Sequence, residues 1–198
     1  MAEAESGPVL VLGDSLSAGY GLSELSEGWV ARLAESLNPR GIRVVNAGIS
    51  GDTTAGGRQR LPGLLDHYQP AVVVIELGGN DGLRGLSLSA MAENLEAMAV
   101  MAKAAGARVL LLGMQLPAHY GSRFTQRFEA VYPTVADKVG VALVPNLLAG
   151  IGDQAALMQA DGIHPGRAAQ IPLRDRVLES LNPLLTPESP SPSRPTRP

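Results

Sequence analysis

Four short, polar, glycine-rich segments hold residue types that can do chemistry: Gly13-Asp14-Ser15-Leu16-Ser17, Asn46-Ala47-Gly48-Ile49-Ser50-Gly51-Asp52, Gly78-Gly79-Asn80-Asp81 and Asp161-Gly162-Ile163-His164-Pro165. A serine hydroxyl is a weak nucleophile until a base takes its proton. Ser15 follows an apolar run, where a strand-to-helix turn would expose its oxygen. Serine is also a common helix N-cap, and the local segment alone fits both roles. It is not the Gly-x-Ser-x-Gly elbow of another large hydrolase class, because position 17 is Ser.

Of His67, His119 and His164, only His164 sits in a loop-like segment with a carboxylate three residues before it. Gly162 lets that chain fold back, and Pro165 biases His164 toward extended backbone. Asp161 can then accept from imidazole Nδ1, leaving Nε2 to take the Ser15 proton. A loop salt bridge is the simpler reading of Asp-x-x-His by itself. Acyl transfer also needs donors aimed at the developing oxyanion. Gly51 has no side chain to block its N–H, Asn80 offers an amide, and the Ser15 N–H completes the set. Turn glycines and a capping Asn explain these segments singly, but not all four together.

These segments need a scaffold that gathers them. The runs Pro8–Leu12, Ile42–Val45, Ala71–Ile75, Ala107–Leu112 and Val141–Val144 are short, rich in Val, Leu or Ile, and do not alternate with polar residues. That is the pattern of parallel strands covered on both faces. Between them, Trp29, Val30, Leu33 and Leu37 recur at helical spacing. So do Met91, Leu95, Met98 and Met101; then Phe124, Phe128 and Val131; then Val177, Leu178 and Leu181. The methionine stripe reads as core packing rather than as a soft binding surface. Alternation of strand and helix predicts an α/β fold, an open parallel sheet with helices on both sides. Ligands in such sheets bind at the carboxyl ends of the strands, where all four segments fall.

Composition narrows the function further. The chain has 198 residues and no cysteine, so disulfides, a cysteine nucleophile and thiolate metal sites are excluded. Three histidines without ligand spacing argue against a histidine-rich metal site. A net charge of −3 makes no case for nucleic acid. No apolar stretch approaches the ~20 residues of a membrane-spanning helix. The acidic start, Met1-Ala2-Glu3-Ala4-Glu5, does not read as a secretory signal. Residues 1–7 read as an N-terminal extension, 8–185 as one domain, and 186–198 as a Pro- and Ser-rich disordered tail.

Together the four blocks resemble the SGNH hydrolase superfamily, also called the GDSL lipase/esterase family. Its Ser, Gly, Asn and His fall on Ser15, Gly51, Asn80 and His164. The longer stretches Gly13–Gly21, Gly51–Thr54, Leu77–Gly85 and Asp161–Pro165 resemble the bacterial thioesterase I, lysophospholipase and arylesterase branch. The resemblance covers roughly Pro8 to Pro183. It implies a flavodoxin-like three-layer α/β/α sandwich with a five-stranded parallel sheet. It implies a Ser15–His164–Asp161 triad and an oxyanion hole of Ser15, Gly51 and Asn80. It also implies cofactor-free hydrolysis of thioesters, aryl or alkyl esters and lysophospholipids by a periplasmic or secreted protein, acting on small acyl esters as a monomer. A loop over Asp81–Leu86, with Gly82 and Gly85 as flexible points, would cover the acyl chain. Leu83, Met114, Leu116, Pro117 and Tyr120 are the candidates for lining it. A carbohydrate acetylesterase with the same triad is the alternative reading. A non-catalytic phosphate-binding module is disfavoured, because no Gly-x-x-x-x-Gly-Lys-Ser/Thr loop is present. Pro172 would kink or delay the last helix.

Overall fold

A computed structural model describes residues 7–185; the expected extension, apart from Gly7, and the expected tail lie outside the described residues. Five parallel strands, β1 (Val9–Gly13), β2 (Val44–Gly48), β3 (Val72–Glu76), β4 (Arg108–Leu112) and β5 (Ala142–Val144), form one sheet in the order β2-β1-β3-β4-β5. The order reverses between β1 and β3, which creates a crevice at their carboxyl ends.

Period-two geometry divides each central strand between two cores. Leu10, Leu12, Val73, Ile75, Val109 and Leu111 face one cluster. It is completed by α3 (Thr54–Tyr68), α5 (Leu88–Ala104), α6 (Ser122–Glu129) and α7 (Val131–Val139). Val9, Val11, Val72, Val74, Leu110 and Leu112 face the other, against α2 (Trp29–Leu37) and α8 (Gln170–Leu185). Two short helices, α1 (Ser15–Ala18) and α4 (Gly79–Leu83), sit directly on the ends of β1 and β3. The α/β/α sandwich is therefore the expected one.

Several local expectations change. Strand β2 starts two residues later than the apolar run and ends at Gly48, and as an edge strand it is only half-buried. The Phe124–Val131 stripe is split between α6 and α7 at Ala130. Helix α3 carries no clear stripe; Thr53 caps it, its hydroxyl accepting from the Gly56 N–H at 3.3 Å. Met91, Leu95 and Met98 are fully buried, as core packing requires. Pro172 falls in the first turn of α8, where a missing N–H removes no helix bond. Among the described residues, no helix is long and apolar enough to cross a membrane.

Candidate active site

Every segment singled out by its chemistry leaves the carboxyl end of a strand or follows the last one. Strand β1 ends at Gly13, and Asp14 caps α1 by accepting the Leu16 N–H at 3.0 Å. Ser15 is the first residue of that helix, so the capping position belongs to Asp14 and not to Ser15. Gly48 of β2 lets α1 lie against the sheet: a Cβ there would stand 2.6 Å from the Ala18 nitrogen and 2.9 Å from the Ser17 carbonyl carbon.

His164 spans the distance between Ser15 and Asp161. Its Nε2 lies 2.9 Å from Ser15 Oγ, and its Nδ1 lies 2.7 Å from Asp161 Oδ2. Asp161 Oδ1 also accepts the backbone N–H groups of Ile163 and His164, at 2.9 and 3.0 Å. Partial burial acts to raise the Asp161 carboxyl. The His164 N–H and imidazole and the Ile163 N–H outweigh it and hold the pKa at about 2. Asp161 is therefore ionised throughout the neutral range and accepts from Nδ1–H, which leaves Nε2 as the basic nitrogen. The Tyr20 ring lies against the imidazole, with centroids 4.5 Å apart. Gln159 ties the two loops together, its Nε2 donating to the carbonyls of Tyr20 and Pro165 at 2.8 and 3.1 Å.

Ser15, Asn80 and His164 open onto a cavity of about 720 Å³. Leu83, Met114, Leu116 and Pro117 line one part of it, as expected, and Leu148, Met158 and Ile163 line another. Gly51 and Tyr120 do not line it. Gly51, at φ +79°, lies in the loop after β2, and its carbonyl accepts from Arg84 Nη2 at 2.9 Å. Tyr120 borders a neighbouring, shallower pocket and donates its hydroxyl to the Leu83 carbonyl at 3.1 Å. The two glycines expected to be flexible differ: Gly85 has open space and φ +63°, whereas Gly82 is packed. A Cβ on Gly82 would meet Phe128 at 2.6 Å and Leu116 at 2.8 Å.

Sequence reasoning missed the buried acids beneath this surface. Glu76 ends β3 in register with Gly13. Its Oε2 accepts the N–H groups of Asp14 and Ser17, each at 3.2 Å, and the Ser17 hydroxyl at 2.6 Å. Asp81 accepts the Thr54 N–H at 2.9 Å and its hydroxyl at 2.5 Å, which holds the start of α3 beside the Gly51 loop. A charged residue closing an otherwise apolar strand was the one available signal for Glu76.

A serine hydroxyl in hydrogen-bond reach of a His–Asp pair thus borders the cavity. The model of the GDSL-like lipase/acylhydrolase family matches residues 11–170. The esterase TesA of Pseudomonas aeruginosa is 54% identical over 185 residues, covering 92% of each chain. The thioesterase 1/protease 1/lysophospholipase L1 of Escherichia coli is 43% identical over 186 residues, covering 94% of this chain and 88% of that protein. A crystal structure of TesA superposes with a TM-score of 0.87 at 54% identity, covering 90% of this chain and 99% of the other. With a family match over most of its length and close relatives over nearly all of it, the chain belongs to the GDSL-like lipase/acylhydrolase family and is a carboxylic ester hydrolase.

Proposed function

We propose that the protein hydrolyses acyl esters and thioesters through an acyl-enzyme formed on Ser15. The observation that carries this reading is the 2.9 Å approach of His164 Nε2 to Ser15 Oγ, with Asp161 at 2.7 Å on the opposite ring nitrogen. Nε2 takes the Ser15 proton as Oγ bonds to the acyl carbon. Asp161 stabilises the imidazolium that results. The Ser15 N–H and the Asn80 amide, both on the cavity, receive the oxyanion, with the Gly51 N–H, set back in the loop after β2, as the third donor. Collapse of the tetrahedral intermediate breaks the bond to the alcohol or thiol, which leaves with the proton from Nε2. Water then repeats the sequence, releasing the acid and restoring Ser15.

Leu83, Met114, Leu116 and Pro117 give the acyl chain an apolar wall, and Tyr120 steadies it from behind through the Leu83 carbonyl. That wall favours aryl and alkyl esters, acyl thioesters and lysophospholipids over an acetylated sugar. The substrate classes of the esterase and thioesterase relatives support the same choice. Small acyl esters are the partners in this reading, and the catalytic unit is a monomer spanning residues 8–185. A periplasmic or secreted location follows from the family resemblance alone.

A panel of acyl-CoA, lysophospholipid, p-nitrophenyl and acetyl-sugar esters tests the proposal. The expected order has acyl-CoA, lysophospholipid and p-nitrophenyl esters cleaved faster than the acetyl-sugar. Turnover confined to the acetyl-sugar would replace this reading with the acetylesterase.

A further inference from the structure

Beneath Ser15 lie two carboxyl groups that the acyl-transfer steps do not use. Asp14 is 3% exposed and Glu76 is fully buried. Two ionised carboxylates enclosed side by side repel strongly, so the pair retains a proton. Hydrogen bonding decides where it goes. Both oxygens of Asp14 are occupied as acceptors: Oδ1 by the Leu16 N–H at 3.0 Å and Oδ2 by the Asn80 Nδ2 at 3.0 Å. Glu76 Oε2 accepts three donors, but Glu76 Oε1 is buried without a hydrogen-bond partner among the described residues. Donors stabilise negative charge on both oxygens of Asp14 but on only one oxygen of the more deeply enclosed Glu76, so Glu76 holds the proton and Asp14 holds the charge. Burial raises both groups, Asp14 to about 6 and Glu76 well above its ordinary range, in keeping with that division.

The consequence falls on Asn80. A side-chain amide has two nearly isosteric ends, one donating and one accepting. Only the donating end is useful to an oxyanion. An ionised carboxylate accepts and never donates, so Asp14 selects the NH₂ end of Asn80 and leaves its second N–H available. We propose that Asp14, carried on a turn that Glu76 pins from below, is a positioning residue that fixes the Asn80 amide for the oxyanion. This rests on the Ser15 mechanism above and adds to it a residue at the cavity's edge that acts through Asn80 rather than on the reacting atoms.

The test is a double-mutant cycle on p-nitrophenyl ester hydrolysis by the purified full-length chain. Asp14→Asn keeps a capping acceptor for the Leu16 N–H but lets the facing amide settle either way. It is expected to lower kcat about 10- to 100-fold, the rate equivalent of one hydrogen bond to a charged group, with KM unchanged. Asn80→Ala is expected to lower kcat ~10²–10³-fold. Added to Asn80→Ala, the Asp14 change should cost less than about twofold more, because its target is gone. Losses that multiply in the double variant would show that Asp14 acts elsewhere and would overturn the proposal. So would wild-type turnover in Asp14→Asn. If Asp14→Asn does not fold, Asp14→Ser, which also caps α1, takes its place with the same two expectations.

Glu76→Gln supplies the second reading. Glutamine reproduces a protonated carboxyl, so its turnover should stay within about threefold of wild type, near the error of additivity. A loss matching that of Asp14→Asn would remove the proton from Glu76. These outcomes are separable from failure of the Ser15 mechanism, which would appear as near-normal turnover in Ser15→Ala.

Discussion

Ser15 Oγ and His164 Nε2 lie 2.9 Å apart although 149 positions separate them in the chain. Strand β1 delivers one and the loop after β5 delivers the other, so the contact depends on the whole sheet. If it activates Ser15, His164→Ala should lower kcat by about 10³–10⁶-fold. Adding Ser15→Ala to that variant should cost little more, since the members act as a unit. Steady-state kinetics of the single and double variants check this, and multiplied losses would show independent roles.

Asp161 makes a different prediction. With its pKa held at about 2, it is ionised wherever the enzyme works. Asp161→Asn should therefore lower kcat, by up to about 10⁴-fold, through the wrong imidazole tautomer. Its effect on stability has a definite sign. A carboxyl depressed from 3.8 to about 2 on folding stabilises the native state above pH 3.8, and that increment is lost as pH falls through about 2. The melting-temperature gap between wild type and Asp161→Asn should shrink as pH falls from about 4 toward 2.

Asp14 has the opposite sign. Folding raises its carboxyl from 3.8 to about 6, chiefly by burial. The stabilisation from its protonated form is complete below pH 3.8 and is lost as pH rises through about 6. The groups that bear on it are the Leu16 N–H of α1, Glu76 on β3, His164 in the last loop and Asn80 on α4, with Tyr132 on α7 feeling its charge in turn. The melting temperature of Asp14→Asn relative to wild type should therefore rise with pH between about 4 and 6. A pH-independent difference would place the ionisation elsewhere.

Two glycines provide a packing contrast. In Gly48→Ala the new methyl would meet backbone atoms of α1 at 2.6–3.0 Å, atoms that cannot rotate aside. It should destabilise the protein by about 1–3 kcal/mol and displace Ser15, lowering kcat as well. Gly63 sits in α3 with nothing within 4 Å of its Cβ position. Gly63→Ala should add about 0.5–1 kcal/mol of stability with turnover unchanged. Chemical denaturation and kinetics on the two variants check the pair.

Much of this was legible before folding. Apolar runs mark β1, β3 and β4 because both of their faces are buried, so no polar alternation interrupts them. Strand β2 was misplaced because an edge strand buries less, and Asn46 and Gly48 break its apolar run. Helix α3 escaped because Gly57 and Thr54 take inward positions that elsewhere hold large apolar residues. Ser15 and Asn80 were legible because each sits in a polar, glycine-rich block at a strand end, and Asp161 and His164 because they share such a block in the long loop beyond β5. The Glu76–Asp14–Asn80 chain was not, because it joins β3, the turn after β1 and α4, and no spacing in one segment reports it.

Covalent labelling with a fluorophosphonate, followed by intact mass and peptide mapping, tests the Ser15 nucleophile most directly. One adduct per chain is expected, located on Ser15, formed in step with loss of esterase activity and absent from Ser15→Ala. An adduct on another residue, or near-normal turnover by Ser15→Ala, would contradict it.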